Sequence, residues 1–339
     1  MKRHIAAAAA LAATFGLWHT AASAGTLDQV KTRGQLICGV GTGLNGFSMP
    51  DDKGAWTGID VDFCRGIAAA IFNDVTKIKF VALNAKDRFT ALQTGEVDVL
   101  SRNGTWTHSR ETQLGLLWAT INYYDGQGFM VRKKLNVASA LELNGASVCV
   151  QQGTTTELNL ADFFRANNLK YEPVIFKEAD ETLKAYDTGR CDAFTTDASG
   201  LYAERLKLNN QDEHVVLPEI ISKEPLGAAV RQGDDQWFNL VRWTHFAMVS
   251  AEEQGVTSKN VDEKLASTNP DTKRLLGAEG EFGKYMGLTN DWAYRIIKLT
   301  GNYGEIFDRN LGDSSKLKIK RGINALWTKG GLQYAPPIR

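Results

Sequence analysis

The chain has 339 residues, and its 39 lysines and arginines balance 39 aspartates and glutamates, so the formal net charge is zero. Such a balance leaves no basic field that would hold a nucleic acid or an anionic membrane surface. The length exceeds what one hydrophobic core usually organises, which predicts two lobes.

The first 24 residues have the pattern of a secretory leader. A basic region at residues 2–4 precedes an apolar stretch at residues 5–18, and Ala22-Ser23-Ala24 supplies the small residues that signal peptidase requires. The alternative, a transmembrane anchor, is disfavoured because the stretch is shorter than the roughly 20 residues that a bilayer needs. We predict cleavage after Ala24, which removes two basic residues and no acid and leaves 37 basic against 39 acidic residues. Gly25 follows the predicted cleavage site, so nothing marks a lipoprotein.

Beyond the leader, predicted strands alternate with predicted helices, a pattern typical of parallel sheets covered by helices. The first series consists of strands at residues 36–40, 78–83 and 97–100 and helices at 61–72 and 89–93. The second consists of strands at 147–150, 172–176 and 191–194 and helices at 157–167 and 181–187. From about residue 232 the pattern is helical, with helices at 237–249, 292–299 and 303–308, which we expect to pack back onto the first lobe.

One segment occurs twice. Residues 94–100 read Thr-Gly-Glu-Val-Asp-Val-Leu and residues 188–194 read Thr-Gly-Arg-Cys-Asp-Ala-Phe, in each case a helix end, a glycine and a strand that opens on aspartate. A polar loop follows each copy, at residues 101–110 and 195–199. Ligands of open α/β sheets bind beyond the carboxyl ends of the strands, where both loops fall. The repeat indicates two similar α/β lobes.

The chain has four cysteines, Cys38, Cys64, Cys149 and Cys191. An even number in an exported protein favours disulfides, and buried free thiols are the alternative. Of the three possible connectivities, Cys38 with Cys64 and Cys149 with Cys191 keeps one bridge in each lobe. The absence of a CxxC pair and of histidine at ligand spacing disfavours a zinc site.

The first candidate ligand loop is Gly41-x-Gly43-x-x-Gly46, which fits a dinucleotide fingerprint after a strand. The helix that this fingerprint requires does not follow, because residues 48–54 have turn chemistry. We therefore interpret the glycines as a flexible loop that passes close to a ligand.

The stretch from Asn103 to Arg110 holds the candidate contacts of the first lobe. A guanidinium can bind a carboxylate with two charge-assisted bonds, and a hydroxyl can complete the site, so Arg110 with Thr105 suits a carboxylate. In the alternative interpretation, Thr107 caps the next helix and Arg110 is a solvated residue.

The second lobe offers complementary groups. Thr154 and Thr155 lie between a strand and a helix, where hydroxyls and free N–H groups suit an anion, although Thr154 and Glu157 also fit a capping box. Asp197 follows the second copy of the repeated segment and suits a cation. A zwitterion with an α-carboxylate and an α-ammonium would meet both lobes.

Catalytic signatures are few. After the leader only His108, His214 and His245 remain, with neither a GxSxG elbow nor an HExxH pair. Asp60 and Asp62 fit an acid pair, but aspartate at a strand-to-helix turn is more often a helix cap, and we expect caps.

Five motifs together resemble family 3 of the amino-acid-binding proteins of ABC importers, and within it the general L-amino-acid-binding type of proteobacteria. The resemblance covers essentially the whole mature chain. The motifs are Gly58-Ile59-Asp60-Val61-Asp62, Leu92-x-x-Gly95-x-Val97-Asp98, Thr105-x-Thr107-x-x-Arg110, Gln152-Gly153-Thr154-Thr155 and Asp192-Ala193-Phe194-x-x-Asp197.

The resemblance implies an α/β, type II periplasmic binding fold. Its two lobes, each a mostly parallel sheet flanked by helices, are joined by two crossovers and close on the ligand. The first lobe would take residues 25–130 and be completed by residues 227–339, which include a helical C-terminal extension. The second lobe would take residues 131–226.

It also implies roles for individual residues. Arg110 would bind the α-carboxylate with Thr105 and Thr155, and Asp197 would receive the α-ammonium. The loop from Leu44 to Phe47 would form a wall of the side-chain pocket, but it lacks one aromatic of the family pattern, which favours broad specificity. Arg88 would stand near another pocket wall, where its charge would favour acidic side chains.

The sequence therefore predicts a periplasmic, monomeric solute-binding protein that delivers L-amino acids to the membrane permease subunits of an ABC importer, without a cofactor and without catalysis. The alternative is a periplasmic dehydratase of arogenate-like substrates on the same fold, which would need a further acid or base in the cleft. A sensory ligand-binding domain is a third possibility, but no membrane segment follows it.

Overall fold

A computed structural model of the protein describes residues 25–339. The predicted leader and its cleavage site lie outside the described residues. Among the described residues, no helix combines the length and apolar character needed to span a membrane.

The chain forms two groups of strands and helices, followed by a mainly helical C-terminal region. The first group is α1 Thr26–Arg33, β1 Leu36–Val40, β2 Met49–Pro50, β3 Trp56–Thr57, α2 Ile59–Phe72, β4 Ile78–Ala82, α3 Arg88–Gln93, β5 Val99–Leu100, α4 His108–Leu114, β6 Leu116–Trp118 and β7 Tyr123–Asp125. The second is β8 Gln127–Arg132, β9 Ala146–Gln151, α5 Thr155–Ala166, β10 Tyr171–Phe176, α6 Ala179–Asp187, β11 Ala193–Asp197, α7 Ala198–Arg205, β12 His214–Val216 and β13 Glu224–Leu226. The last is β14 Ala229–Arg231, α8 Asp235–Glu253, α9 Val261–Lys264, α10 Pro270–Leu275, α11 Trp292–Thr300 and α12 Tyr303–Asn310.

Each lobe is built on one five-stranded sheet, and the two sheets share one pattern. The first has the order β4-β1-β5-β14-β6 and the second the order β10-β9-β11-β8-β12. In each, three strands run parallel and the fourth is antiparallel to both of its neighbours. This fourth strand is β14 in the first sheet and β8 in the second. Each directly follows a crossover strand, β13 before β14 and β7 before β8. The predicted two-lobed α/β fold is confirmed.

The repeated segment has the same structure in both lobes. Gly95 and Gly189 each adopt a left-handed backbone, with φ of 79° and 85°, and so end the preceding helix where a side chain would be strained. The carboxylates of Asp98 and Asp192 then accept a hydrogen bond from a backbone N–H of the lobe's first parallel strand, at 2.7 and 2.8 Å. The sequence repeat therefore marks a real structural equivalence.

Both lobes carry a disulfide at equivalent places. Cys38 on β1 bonds Cys64 on α2, and Cys149 on β9 bonds Cys191 just before β11. The preferred connectivity is confirmed, and the described residues include no free cysteine. Closing loops of 26 and 42 residues contributes about 3 to 4 kcal/mol each by restricting the unfolded chain.

The two crossovers run side by side as the antiparallel pair β7 and β13. The boundary predicted at residue 130 falls inside β8, which belongs wholly to the second sheet. The chain thus enters the second lobe a few residues earlier, between β7 and β8. The boundary predicted at residue 226 coincides with the end of β13.

The C-terminal region packs on the first lobe and reaches the crossovers. Ile296 and Phe307 share one buried cluster with Val61 of α2. The Asn324 amide spans the backbone of Tyr124 in β7: its Oδ1 accepts from the N–H at 2.7 Å and its Nδ2 donates to the carbonyl at 3.0 Å. Asn324 thus occupies the edge of β7 where a further strand would otherwise pair.

We expect Asn324→Ala to lower the free energy of unfolding by about 1 to 3 kcal/mol, because two hydrogen bonds to β7 are lost at a buried position. Urea denaturation of the variant and the wild type measures the difference. Asn209→Ala is the matched control, because Asn209 is exposed and its side chain makes no hydrogen bond with the described residues. Equal stabilities for the two variants would contradict the role of Asn324.

Candidate ligand-binding site

Two adjoining cavities lie between the lobes, beyond the carboxyl ends of the parallel strands. The small cavity has an empty volume of about 300 Å³ and is lined by Ala85, Arg88, Arg102, Asn103, Thr105, Gln151, Thr154, Thr155, Thr156, Thr196 and Asp197. The large cavity has about 530 Å³ and is lined by Gly41, Thr42, Gly43, Leu44, Arg102, Asn103, Gln151, Ala179, Thr182, Phe194, Thr195, Thr196, Gly200 and Glu204. Arg102, Asn103, Gln151 and Thr196 belong to both linings, so the cavities form one continuous cleft.

The lobes touch on both sides of the cleft. The Thr105 and Thr155 hydroxyl oxygens, one from each lobe, are 3.2 Å apart. At the far end of the large cavity, Lys207 of the second lobe donates to the Gly43 carbonyl of the first at 2.8 Å. The structure therefore describes the lobes closed over the cavities.

Six residues singled out in the sequence line the small cavity, and they come from both lobes. Three are held at the ends of strands or the start of a helix: Asp197 ends β11, Thr155 begins α5, and Arg88 begins α3. The six are Arg88, Asn103, Thr105, Thr154, Thr155 and Asp197.

Arg110 lies beside the small cavity rather than in its lining. Its guanidinium donates to the Thr105 carbonyl at 2.8 Å and lies 5.0 Å from the centre of the Phe89 ring. Thr107 caps α4 by accepting from the Arg110 N–H at 3.3 Å. The capping interpretation of Thr107 is therefore confirmed, but Arg110 is half-buried behind Thr105 and is not a solvated residue.

Phe47 lies outside both cavity linings. It is fully buried in the core of the first lobe, with its ring edge-on to Tyr123 at 5.6 Å. The wall that the loop contributes to the large cavity is instead Leu44 with residues 41–43. The glycine loop leads into the β2–β3 hairpin, as expected for a ligand-adjacent loop rather than a dinucleotide fingerprint.

The predicted capping box at the start of α5 is only half formed. The Thr154 hydroxyl accepts from the Glu157 N–H at 3.1 Å and donates to the Gln151 carbonyl at 2.7 Å. The Glu157 carboxylate accepts from the Gly153 N–H at 2.9 Å, one residue before the position that a capping box uses. Thr154 is thus engaged in the fold, and Thr155 carries the hydroxyl nearer to the other lobe.

Glu224, on crossover strand β13, is a site residue that no sequence motif indicates. Its side chain is 1% exposed and accepts four hydrogen bonds. One carboxylate oxygen accepts from Thr105 at 2.5 Å and Thr155 at 2.8 Å, and the other from Asn159 and Ser222 at 2.7 Å each. Glu224 therefore connects both lobes to a crossover. No motif surrounds it, so only the folded structure brings these partners together.

Arg102 and Asp60 form a second buried group that the sequence analysis did not identify. Arg102 is 6% exposed, and its Nε and one terminal nitrogen have no hydrogen-bond partner in the described structure. Burial lowers the pKa of Arg102 to about 10, and the charge of Asp60 opposes this shift. Burial raises the pKa of Asp60 to about 7, against the opposing charge of Arg102. Arg102 stands inside the polar loop predicted after β5, but its burial is a tertiary property.

The expectation that Asp60 and Asp62 cap a helix is wrong. Helix α2 begins at Ile59 after Gly58, so both aspartates lie inside its first turn rather than at the capping position, and no side chain of the described residues caps it. Asp62 instead forms ion pairs with Arg65 at 3.0 Å and with Arg309 of α12 at 2.8 Å.

Charges of both signs are concentrated around the small cavity. Burial lowers the pKa of Arg88, and the positive charges of Arg102 and Arg110 lower it further. Burial raises the pKa of Asp197, and the negative charges of Asp125 and Glu224 add to the effect. A ligand carrying both charges would place an opposite charge beside each of these buried groups and so stabilise their ionised forms. Among residues 25–339, no cluster of histidine, cysteine and acidic residues is arranged to hold a metal ion.

Comparisons with known proteins agree with this geometry. The model of the family "bacterial extracellular solute-binding proteins, family 3" matches residues 36–264. Over 341 residues, covering 100% of both chains, the protein is 62% identical to the general L-amino acid-binding periplasmic protein AapJ of Rhizobium johnstonii. It is 57% identical over 320 residues to the glutamate/glutamine/aspartate/asparagine-binding protein BztA of Rhodobacter capsulatus, covering 94% of this chain and 95% of that one.

A solved structure is similar over nearly the whole described chain. It is an ABC transporter periplasmic binding protein from Brucella ovis with glutathione bound. The TM-score is 0.92 and the identity 62%, and the match covers 93% of this chain and 100% of that one.

We expect Glu224→Gln to lower the free energy of unfolding by about 1 to 3 kcal/mol, because an amide nitrogen cannot accept from the donors that one carboxylate oxygen now satisfies. Chemical denaturation of the unligated protein measures this change. The control is Glu172→Gln, since Glu172 is exposed on β10 and makes no side-chain hydrogen bond with the described residues. A loss no larger than that of the control would contradict the connecting role of Glu224.

Proposed function

The chain belongs to family 3 of the bacterial extracellular solute-binding proteins, and from that premise we propose that it captures L-amino acids of several kinds in the periplasm for an ABC importer. Two relatives support this proposal: one is a general L-amino acid-binding periplasmic protein, and another is a glutamate/glutamine/aspartate/asparagine-binding protein. We infer that the protein acts as a monomer that delivers its ligand to membrane permease subunits.

The observation that carries the proposal is the charge pattern of the small cavity. Asp197 is buried, and within the described residues its carboxylate accepts one long hydrogen bond, at 3.5 Å from Asn103. The guanidinium groups of Arg88 and Arg110 both pack on the Phe89 ring, at 4.7 and 5.0 Å from the ring centre. A buried carboxylate and a buried guanidinium both gain from a partner of opposite charge. An amino-acid zwitterion supplies both partners in one molecule.

In this proposal Arg110 binds the α-carboxylate, with Thr105 and Thr155 assisting, and Asp197 binds the α-ammonium. Thr105 and Thr155 come from different lobes, so a carboxylate that contacts both can do so only when the lobes are closed. A ligand shifts a conformational equilibrium only through contacts that differ between the states. Ligand binding would thereby stabilise the closed arrangement.

Broad specificity is supported by the large cavity, which continues from the small one and is bordered by the glycine loop. The related Brucella ovis structure contains glutathione, which is longer than any single amino acid. Ligands as long as a γ-glutamyl peptide are therefore a second candidate class for this site.

Binding without catalysis is the function that we favour over a dehydratase. A dehydratase would need a further carboxyl group free to act as acid or base in the cleft. Two further acids border the cleft, and both are engaged: the Glu224 carboxylate accepts hydrogen bonds that hold the lobes and crossover together, and Glu204 forms an ion pair with Lys207 at 3.0 Å. Incubation of purified protein with arogenate or prephenate, followed by product analysis, tests this choice, and turnover would contradict it.

We predict that Arg110→Met weakens L-amino-acid binding by at least about 30-fold, because one partner of a buried charge pair is removed while the packing on Phe89 is kept. Isothermal titration calorimetry measures the affinity. Arg165→Met is the control, since the Arg165 side chain is exposed and remote from the cleft. If Arg110→Met binds with near-native affinity and Arg88→Met loses affinity, the carboxylate contact belongs to Arg88 and the prediction for Arg110 is refuted.

The raised pKa of Asp197 predicts a pH dependence of affinity. Below that pKa the unligated carboxyl is protonated, and an α-ammonium favours its ionised form, so binding releases up to one proton. Affinity should therefore rise with pH until Asp197 is ionised in the free protein, and then level off. Calorimetry in buffers of different ionisation enthalpy measures the release. Asp197→Asn should weaken binding and remove the released proton, and an unchanged release would exclude Asp197 as its source.

A further inference from the structure

We propose that Arg102 binds the terminal oxygen atoms of the ligand's side chain. The site would then favour α-amino acids whose side chain ends in a carboxylate or a carboxamide, including those in γ-glutamyl linkage. This inference rests on the proposed function and assigns a residue to the far end of the same ligand.

The position of Arg102 is the first support. Arg102 belongs to the linings of both cavities, so it lies where the small cavity meets the large one. A methyl group built on Gly41 would lie 3.8 Å from the Arg102 Nε, which places the guanidinium directly against the glycine loop. Arg88, in contrast, lines only the small cavity, where the zwitterion is proposed to bind.

The unused hydrogen-bond donors of Arg102 are the second support. Its Nε and one terminal nitrogen are buried and have no partner among the described residues. A buried donor left without an acceptor costs about 1 to 3 kcal/mol, and more when it is charged. An acceptor on a ligand removes that cost in the bound state alone, so it favours binding.

The charge of Arg102 is the third support. Within the described chain, no carboxylate lies within 4 Å of its guanidinium. Asp60 is the acid whose charge acts most strongly on it, but burial raises the pKa of Asp60 to about 7, so that carboxyl is only partly ionised at neutral pH. The positive charges of Arg88 and Arg110 add to that of Arg102. The charges of Asp197 and Glu224 oppose those of the arginines, but within the described chain neither acid forms an ion pair with them, so a ligand carboxylate would supply Arg102 with its ion-pair partner.

The test compares two ligands that differ only at the end of the side chain. L-glutamate and L-norvaline have the same carbon chain, but norvaline ends in a methyl group. Calorimetry of the wild type and Arg102→Met with both ligands forms a double-mutant cycle. We expect the affinity for glutamate to fall at least about tenfold more than that for norvaline, because a charge-assisted hydrogen bond is lost. Glutamine should show a smaller excess loss.

Arg88→Met is the matched control and should weaken both ligands in similar proportion. Equal losses for glutamate and norvaline in Arg102→Met would overturn the inference while leaving the proposed function intact. If norvaline fails to bind the wild type, retained glutamate affinity in Arg102→Met overturns it. A wild type that binds no amino acid would refute the proposed function itself.

Circular dichroism confirms the fold of each variant. Should Arg102→Met fail to fold, Arg102→Lys replaces it, since the shorter ammonium cannot form two parallel bonds to a carboxylate. The glutamate-to-norvaline affinity ratio should then fall by a smaller factor, and an unchanged ratio counts against the inference.

Discussion

The buried carboxylate of Glu224 is the contact on which the closed arrangement of the lobes depends. A carboxylate removed from water must find donors, and Glu224 takes them from the first lobe through Thr105, from the second through Thr155 and Asn159, and from the segment leading into its own strand through Ser222. Because the donors belong to different parts of the fold, all four bonds require the lobes to be together. Glu224 lies on a crossover strand, so one network of hydrogen bonds joins that crossover to the cleft.

Residues beyond the family match form hydrogen bonds to the first crossover on the side away from β13. The match ends at residue 264, and the chain continues for a further 75 residues that pack on the first lobe. Asn324 binds the backbone of Tyr124, and the Tyr303 hydroxyl donates to the Asn122 carbonyl at 2.7 Å. Gln333 adds a bond to the Ile121 carbonyl at 3.3 Å. The first crossover is thus fixed along its outer edge, while its inner edge pairs with the second. In this arrangement, movement between the lobes must be absorbed at Gly126, the one residue between β7 and β8, and by the residues that flank β13.

The sequence predicted the parts of the fold that local patterns control. Strand β1 and the start of α11 and of α12 fall where the pattern placed them, because apolar periodicity and glycine ends are local properties. Chain length predicted the two lobes, the repeated segment predicted their equivalence, and one bridge in each lobe was the preferred disulfide pairing. Phe47, Arg102 and Glu224 could not be predicted in the same way. Whether an aromatic residue of a loop faces a cavity or the core, and whether a charged residue is buried without a partner, depends on contacts between segments far apart in the chain. Three-residue crossover strands likewise carry too few residues to show a period.

The direction of the hydroxyl protons decides how an α-carboxylate enters the site. A threonine hydroxyl has one proton, and those of Thr105 and Thr155 are donated to Glu224 in this structure. In that orientation the hydroxyls present only lone pairs to the cavity, which repel a carboxylate and attract an ammonium. A ligand carboxylate that uses these protons must compete with Glu224 for them, and the competition costs part of the network that joins the lobes. The guanidinium groups carry no such conflict, since their donors are numerous and their charge is uncompensated by an ion pair in the described chain. The arginines should therefore contribute most of the binding free energy at the carboxylate end of the ligand. The two threonines then limit how far the carboxylate can enter the small cavity.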